Sequence, residues 1–120
     1  MRVKKVLLVD DSPTDQLVVI RILASQNFDI VTAGNGEEAI EKAKRESPDC
    51  ILMDVVMPGI NGFQATRALA KDPATKDIPV IILSSKGQQT DKIWGERQGA
   101  KGYLVKPVSE SDLISKLEEL

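Results

Sequence analysis

Val6-Leu7-Leu8-Val9-Asp10-Asp11-Ser12-Pro13 joins an apolar run, two acids and a helix start with no spacer between them. With Lys5, the apolar run reads as a buried strand. Ser12 is suited to cap a helix, and Pro13 to stand at its first helical position. The acid pair therefore falls where a strand hands over to a helix. The same arrangement returns along the chain. Cys50-Ile51-Leu52-Met53 leads to Asp54, Pro79-Val80-Ile81-Ile82-Leu83 leads to Ser84-Ser85, and Tyr103-Leu104-Val105 leads to Lys106.

Helical patterns fill the intervals. The first helix presents Leu17, Ile20, Leu23 and Ala24 at helical spacing. Phe28 to Ala33 alternates as a strand. Asn35-Gly36-Glu37-Glu38 then opens a second helix with acids in its first turn, where the macrodipole favours them, and Ala39, Ile40 and Ala43 facing inward. Pro48 separates it from a third strand, Asp49 to Asp54. Met57 to Gly62 is a loop, followed by a helix from about Phe63 to Lys71 that packs Phe63, Thr66 and Leu69. Asp72 to Asp77 is a polar connector. A fourth helix, about Gln89 to Gln98, is interrupted by Gly95, which weakens it by about 1 kcal/mol relative to alanine. Lys101 to Val105 is the fifth strand. Ser109-Glu110-Ser111-Asp112 reads as a capping box opening a helix that carries Leu113, Ile114 and Leu117. Five β–α units with short links make an α/β fold, a doubly wound parallel five-stranded sheet covered on both faces. Parallel strands end on one edge of their sheet, so Asp10, Asp11, Asp54, Ser84 and Lys106 are expected to converge there, where open α/β sheets bind ligands.

The 120 residues amount to one domain, 1–120, with no room for an output domain. A 42% hydrophobic and 28% charged composition is that of a soluble globular protein. The net charge of −2 argues against general nucleic-acid binding. The apolar run after Met1-Arg2-Val3-Lys4-Lys5 is too short for a signal peptide, and no stretch approaches a membrane span, so a cytoplasmic location is expected. The lone cysteine, Cys50, lies in the most hydrophobic strand and reads as a packed thiol. With 0 histidines, the chain has no imidazole for acid–base catalysis, metal ligation or a phosphohistidine carrier role.

Three carboxylates gathered with one ammonium leave a local charge of about −2, which Mg²⁺ would cancel. Without such a counter-ion, two unit charges about 4 Å apart repel by roughly 4 kcal/mol at an effective dielectric of 20. Asp54, at the end of the central strand, is the candidate nucleophile toward a phosphoryl group. The metal and Lys106 would stabilise charge on the transferring oxygens, and Ser84 would offer a hydroxyl. Taken singly, Asp10 and Asp11 could merely cap a helix, Asp54 end a strand, and Lys106-Pro107 form a loop. Together they supply the polar groups of one phosphoryl–metal site.

These segments resemble the receiver domain of bacterial response regulators, the CheY-like, flavodoxin-like fold. They are Val6 to Ser12, Leu52 to Gly59, Ile82 to Ser85 and Gly102 to Pro107, within a likeness running from about residue 4 to 119. Asn61 to Arg67 and Thr90 to Ala100 look like PilH-type single-domain receivers of twitching-motility and chemotaxis-like systems. The resemblance implies strand order 2-1-3-4-5 and a role in a two-component system. Asp54 would accept a phosphoryl group from a sensor histidine kinase. Asp11, Asp54 and the backbone carbonyl of Val56 would hold Mg²⁺, with Asp10 acting largely through water. Lys106 would contact the phosphoryl group and precede a cis bond to Pro107. Ser84 would shift and let Tyr103 turn inward, altering the face of the fourth helix, fifth strand and fifth helix for an output protein. Such a protein would be a monomer or weak homodimer, with no nucleic-acid partner and no enzymatic activity beyond its own phosphorylation and dephosphorylation.

Some positions depart from the commonest family pattern. Ser84 stands where threonine is frequent, Val56 brings no polar side chain to the loop after Asp54, and Lys86 flanks the pocket two residues beyond Ser84. Trp94 is either partly packed against the neighbouring helix or an anchor for a partner. A phosphate sink for a shared kinase is a second reading within signalling. An aspartyl-phosphate phosphotransferase or phosphatase is a third, but Asp54-Val55-Val56 lacks the second acid that haloacid-dehalogenase-type enzymes place there. Flavin binding fails for want of aromatics and a phosphate-cradling first loop. Dinucleotide and nucleoside triphosphate binding fail for want of Gly-x-Gly-x-x-Gly or a P-loop.

Overall fold

The computed structural model describes residues 3–85 and 89–120, the side chains of 89–91 apart. Strands and helices alternate as β1 (Lys5–Val9), α1 (Pro13–Ser25), β2 (Asp29–Ala33), α2 (Gly36–Glu46), β3 (Cys50–Asp54), α3 (Gly62–Lys71), β4 (Val80–Ser84), α4 (Gln89–Arg97), β5 (Gly102–Val105) and α5 (Glu110–Glu118). All pairings are parallel, and the strand order is β2-β1-β3-β4-β5. The expected doubly wound sheet is thus the one formed.

Alternation along each strand divides the core in two. Val6, Leu8, Cys50, Leu52, Ile81 and Leu83 point to one face, where Val19 and Leu23 of α1 and Leu113 and Leu117 of α5 cover them. Leu7, Val9, Ile51, Met53, Val80 and Ile82 point to the other, beneath Ala39 and Ala43 of α2 and Ala65 and Leu69 of α3. Every residue of β3 and β4 is buried, as expected for strands covered on both sides. Cys50 is part of this packing. Burial pushes its thiol up to about 12, so it remains a neutral, inert side chain.

Helix starts follow local chemistry. Ser12, Asn35 and Ser109 each accept a backbone N–H three residues on, at 3.3, 2.8 and 3.2 Å. Asn61 does so with a complete capping box, because Gln64 Oε1 also accepts from the Asn61 N–H at 2.8 Å. At Ser109 only the forward bond of the expected box is found, since the Asp112 side chain is shorter than a glutamate's and does not reach back.

One expectation is corrected and another extended. In α1 the buried residues are Val19 and Leu23, whereas Leu17, Val18 and Ala24 are exposed. The helix is apolar on more than one side, so spacing alone did not choose the inward stripe. Gly95 does more than loosen α4. It is buried, and a Cβ there would lie 3.1 Å from Ile82 Cγ1, so the glycine lets α4 settle onto β4. The connector after α3 is also better anchored than its polarity suggests: Thr75 is buried and donates through Oγ1 to the Leu69 carbonyl at 2.7 Å.

Candidate functional site

The carboxyl ends of β1, β3, β4 and β5 bring the expected residues to one edge. Asp10 follows β1, and its N–H continues the ladder to the Ala33 carbonyl at 3.0 Å. Asp54 closes β3 opposite Leu83 of β4. Ser84 closes β4 and is buried, and its carbonyl accepts from the Lys106 N–H at 2.8 Å. That bond fixes the start of the loop after β5, where the Lys106–Pro107 peptide is cis, as the family resemblance implied.

Lys106 is the hub. Its Nζ donates to Asp10 Oδ2 at 2.7 Å, to Asp54 Oδ1 at 3.1 Å and to Asp15 Oδ2 at 3.1 Å. The second oxygen of Asp10 accepts from the Ser12 N–H at 2.9 Å. Gln16 adds a strut, with Nε2 donating to the Asp10 carbonyl at 2.6 Å and to the Ala33 carbonyl at 3.3 Å. Asp10 and Asp54 are buried, whereas Asp11 faces solvent. Burial and the nearby Asp10 charge drive the Asp54 carboxyl up to about 6, although Lys106 pulls the other way. For Lys106, burial disfavours the ammonium, but bonds to Asp10 and Asp54 outweigh it and hold the group above the ordinary lysine range.

Asp10, Asp11 and Asp54 each offer an oxygen, and these three atoms lie within 4.8 Å of one another. An all-oxygen, all-carboxylate set of this size fits a hard divalent cation and suits Mg²⁺. Val56 is the second residue of the loop past β3 and is 63% exposed. The loop returns to α3 through the Gly62 N–H, which donates to the Val55 carbonyl at 2.8 Å. A Cβ on Gly62 would collide with the Asp54 carbonyl oxygen, so the site's backbone geometry needs this glycine.

Sequence reasoning missed Asp15 and Gln16. The available signal was position: both lie in the first turns of a helix that begins at the pocket, and helical side chains lean toward the N-terminus. Other expected residues lie further out. Tyr103 pairs with Ile82 in register and packs on the α2–α3 face, with its hydroxyl buried and unpartnered among the described residues. Trp94 is 52% exposed, with the Arg97 guanidinium 6.0 Å from its ring centre. It is not a core residue. Lys86 lies outside the described residues.

The fold and this carboxylate–lysine cup together define a receiver of two-component signalling. The chain belongs to the response regulator receiver domain family, matched over residues 6–118. It is 51% identical over 110 residues to protein PilH of Pseudomonas aeruginosa, spanning 92% of this chain and 91% of that one. The chemotaxis protein CheY4 of Vibrio cholerae superposes with a TM-score of 0.90 at 33% identity, covering 98% of both chains. The receiver domain of a Pseudomonas aeruginosa sensor histidine kinase superposes with a TM-score of 0.89 at 30% identity, covering 97% of this chain and 95% of that one, and holds a magnesium ion in its active-site cleft. No described helix is long and apolar enough to cross a membrane.

Proposed function

We propose that Asp54 accepts a phosphoryl group from a sensor histidine kinase and that its modification switches a protein-binding face. The observation that carries this reading is a buried carboxylate, raised to about 6, ending the central strand within reach of two more acids and a lysine. An oxygen of ionised Asp54 attacks phosphorus as the bond to the donor imidazole nitrogen breaks, and that nitrogen keeps the electron pair and is protonated. Lys106 donates to the phosphoryl oxygens, and the Ser84 hydroxyl completes their contacts. Asp11, Asp54 and the Val56 carbonyl would hold Mg²⁺. Asp10, whose two oxygens already accept from Ser12 and Lys106, would act through water. When bound, the ion supplies positive charge against the phosphoryl oxygens.

Ile93 and Trp94 on α4 and Val105 on β5 are exposed apolar side chains on the elements of the proposed output face. Tyr103 packs against the core on the α2–α3 face, and its hydroxyl, unpartnered among the described residues, leaves the ring something to gain from a second position. Similarity to PilH over 91% of that protein supports a signalling role of the kind the receiver family has.

The test is incubation with Mg²⁺ and acetyl phosphate, read by intact mass and Trp94 fluorescence. The expected result is one added phosphoryl group and a changed emission in wild type, and neither in Asp54→Asn. Modification that persists in Asp54→Asn overturns the assignment of the acceptor.

A further inference from the structure

The Lys106 ammonium has three N–H bonds, and three different carboxylates accept them, Asp10 at 2.7 Å, Asp15 at 3.1 Å and Asp54 at 3.1 Å. An ammonium has no fourth donor. An arriving phosphoryl oxygen can therefore be served only if one carboxylate lets go.

The three are unequal. The side chains of Asp10 and Asp54 are 0% and 10% exposed, whereas that of Asp15 is 48% exposed. Releasing a buried carboxylate leaves a charge without compensation, but releasing Asp15 returns it to water. Asp10 is further pinned by the Ser12 N–H, and Asp54 is still an ionised acceptor of Lys106 while the phosphoryl oxygens arrive, because it is the attacking group. Asp15 lies outside the set of acids close enough to share a cation. Its backbone is fixed by the bond to Ser12 Oγ, so its carboxylate hangs over the pocket from the first turn of α1.

We propose that Asp15 is a latch on Lys106: it holds the third N–H of the ammonium in the resting protein and yields it to a phosphoryl oxygen when Asp54 is modified. This rests on the phosphoryl-acceptor reading above. Asp15 is a positioning residue, acting through Lys106. Its loss removes a competitor for the ammonium and a negative charge at the mouth of an anion-binding pocket, so both effects favour loading. Because the latch springs from α1, its release also frees that helix from a tie to a residue 91 positions away in the chain.

The experiment compares wild type, Asp15→Asn and Asp15→Glu by nitrogen NMR of the lysine ammonium groups, with Lys106→Arg for assignment. Spectra are taken in Mg²⁺ before and after saturation with beryllofluoride. Before addition, the Lys106 signal of Asp15→Asn is expected to be displaced from wild type, and that of Asp15→Glu to lie close to it. After addition the three should coincide, because the latch is open in all. Beryllofluoride should bind about three-fold more tightly to Asp15→Asn, the scale of a half-exposed ion pair, and with wild-type affinity to Asp15→Glu. Coincident signals at rest, a displacement that persists undiminished after loading, or unchanged or weaker binding by Asp15→Asn would each overturn the latch. A wild type that takes up no beryllofluoride overturns the phosphoryl reading, and the release step with it, even if the resting displacement is present.

Discussion

Asp49 and Asp54 bracket the same strand, and their carboxyls are driven in opposite directions. Asp49 stands just before β3, where Oδ2 accepts the N–H groups of Lys4 and Lys5 at 2.9 Å each, and these bonds hold its pKa below the ordinary value. Asp54 ends β3, where burial and Asp10 raise it to about 6 despite Lys106. At one edge of the sheet, the chain's own backbone satisfies the charge and ties β1 to the approach of β3. At the other, the charge is gathered beyond what the chain neutralises, which leaves a role for something from outside. The contrast is between a carboxylate whose charge the fold satisfies and one whose charge the fold disfavours.

Four changes would break or sharpen this contrast. The largest effect is expected at Gly62, on the functional side. Gly62→Ala drives a Cβ into the Asp54 carbonyl oxygen, and should lower stability by about 3 kcal/mol in urea unfolding. An unaffected Gly62→Ala would mean that the backbone at the site is not held by this close approach. Next come the two acids themselves, with opposite signs. Asp49→Ala should destabilise by about 2 kcal/mol, the scale of hydrogen bonds to a charged acceptor. Asp54→Asn should instead stabilise the metal-free protein, by about 1–2 kcal/mol for a pKa raised to about 6. Equal signs in thermal or urea unfolding would end the comparison.

The same pair predicts the response to pH. A raised carboxyl binds its proton more readily in the folded chain, so the contribution from Asp54 is complete below about pH 4, its unfolded value, and is lost as pH climbs to about 6. Asp49 behaves inversely: its contribution is full above about pH 4 and disappears as pH falls below it. Between these limits the metal-free protein should lose stability with rising pH. The slope should flatten in Asp54→Asn and in Mg²⁺, and a slope unchanged by both would place its origin elsewhere. The smallest effect is kinetic. Val56 is 63% exposed beside Asp54 and offers no hydrogen bond to a hydrolytic water, so Val56→Asn should shorten the life of the phosphorylated state by about five-fold, roughly one hydrogen bond's worth. Equal half-lives would remove Val56 from that role.

Much of the fold was legible because each strand carries its own signal. The run Val6 to Val9 and the fully buried β3 and β4 are short apolar stretches bounded by turn and cap residues, and they fall where their pattern puts them. The acids and the lysine at their ends were legible for the same reason, since a strand's end is a position in sequence. The inward stripe of α1 was not, because Leu17 and Val18 are as apolar as Val19 and Leu23. Gly95 read as a weak point in a helix, and only the distance to Ile82 shows that a Cβ there would crowd the sheet.

By itself, the sequence determined the order of elements and the sheet edge at which Asp10, Asp11, Asp54, Ser84 and Lys106 lie. Periodicity and strand ends are local properties, and they survive translation into a linear code. Tertiary structure alone decided that Lys106 divides its three hydrogen bonds among three carboxylates, with Asp15 among them, and that the carboxyls at the two ends of β3 are shifted in opposite directions from their ordinary value. Those outcomes depend on which distant groups arrive within a hydrogen bond of one another and how much water they displace. Neither quantity is carried by the neighbours of a residue along the chain.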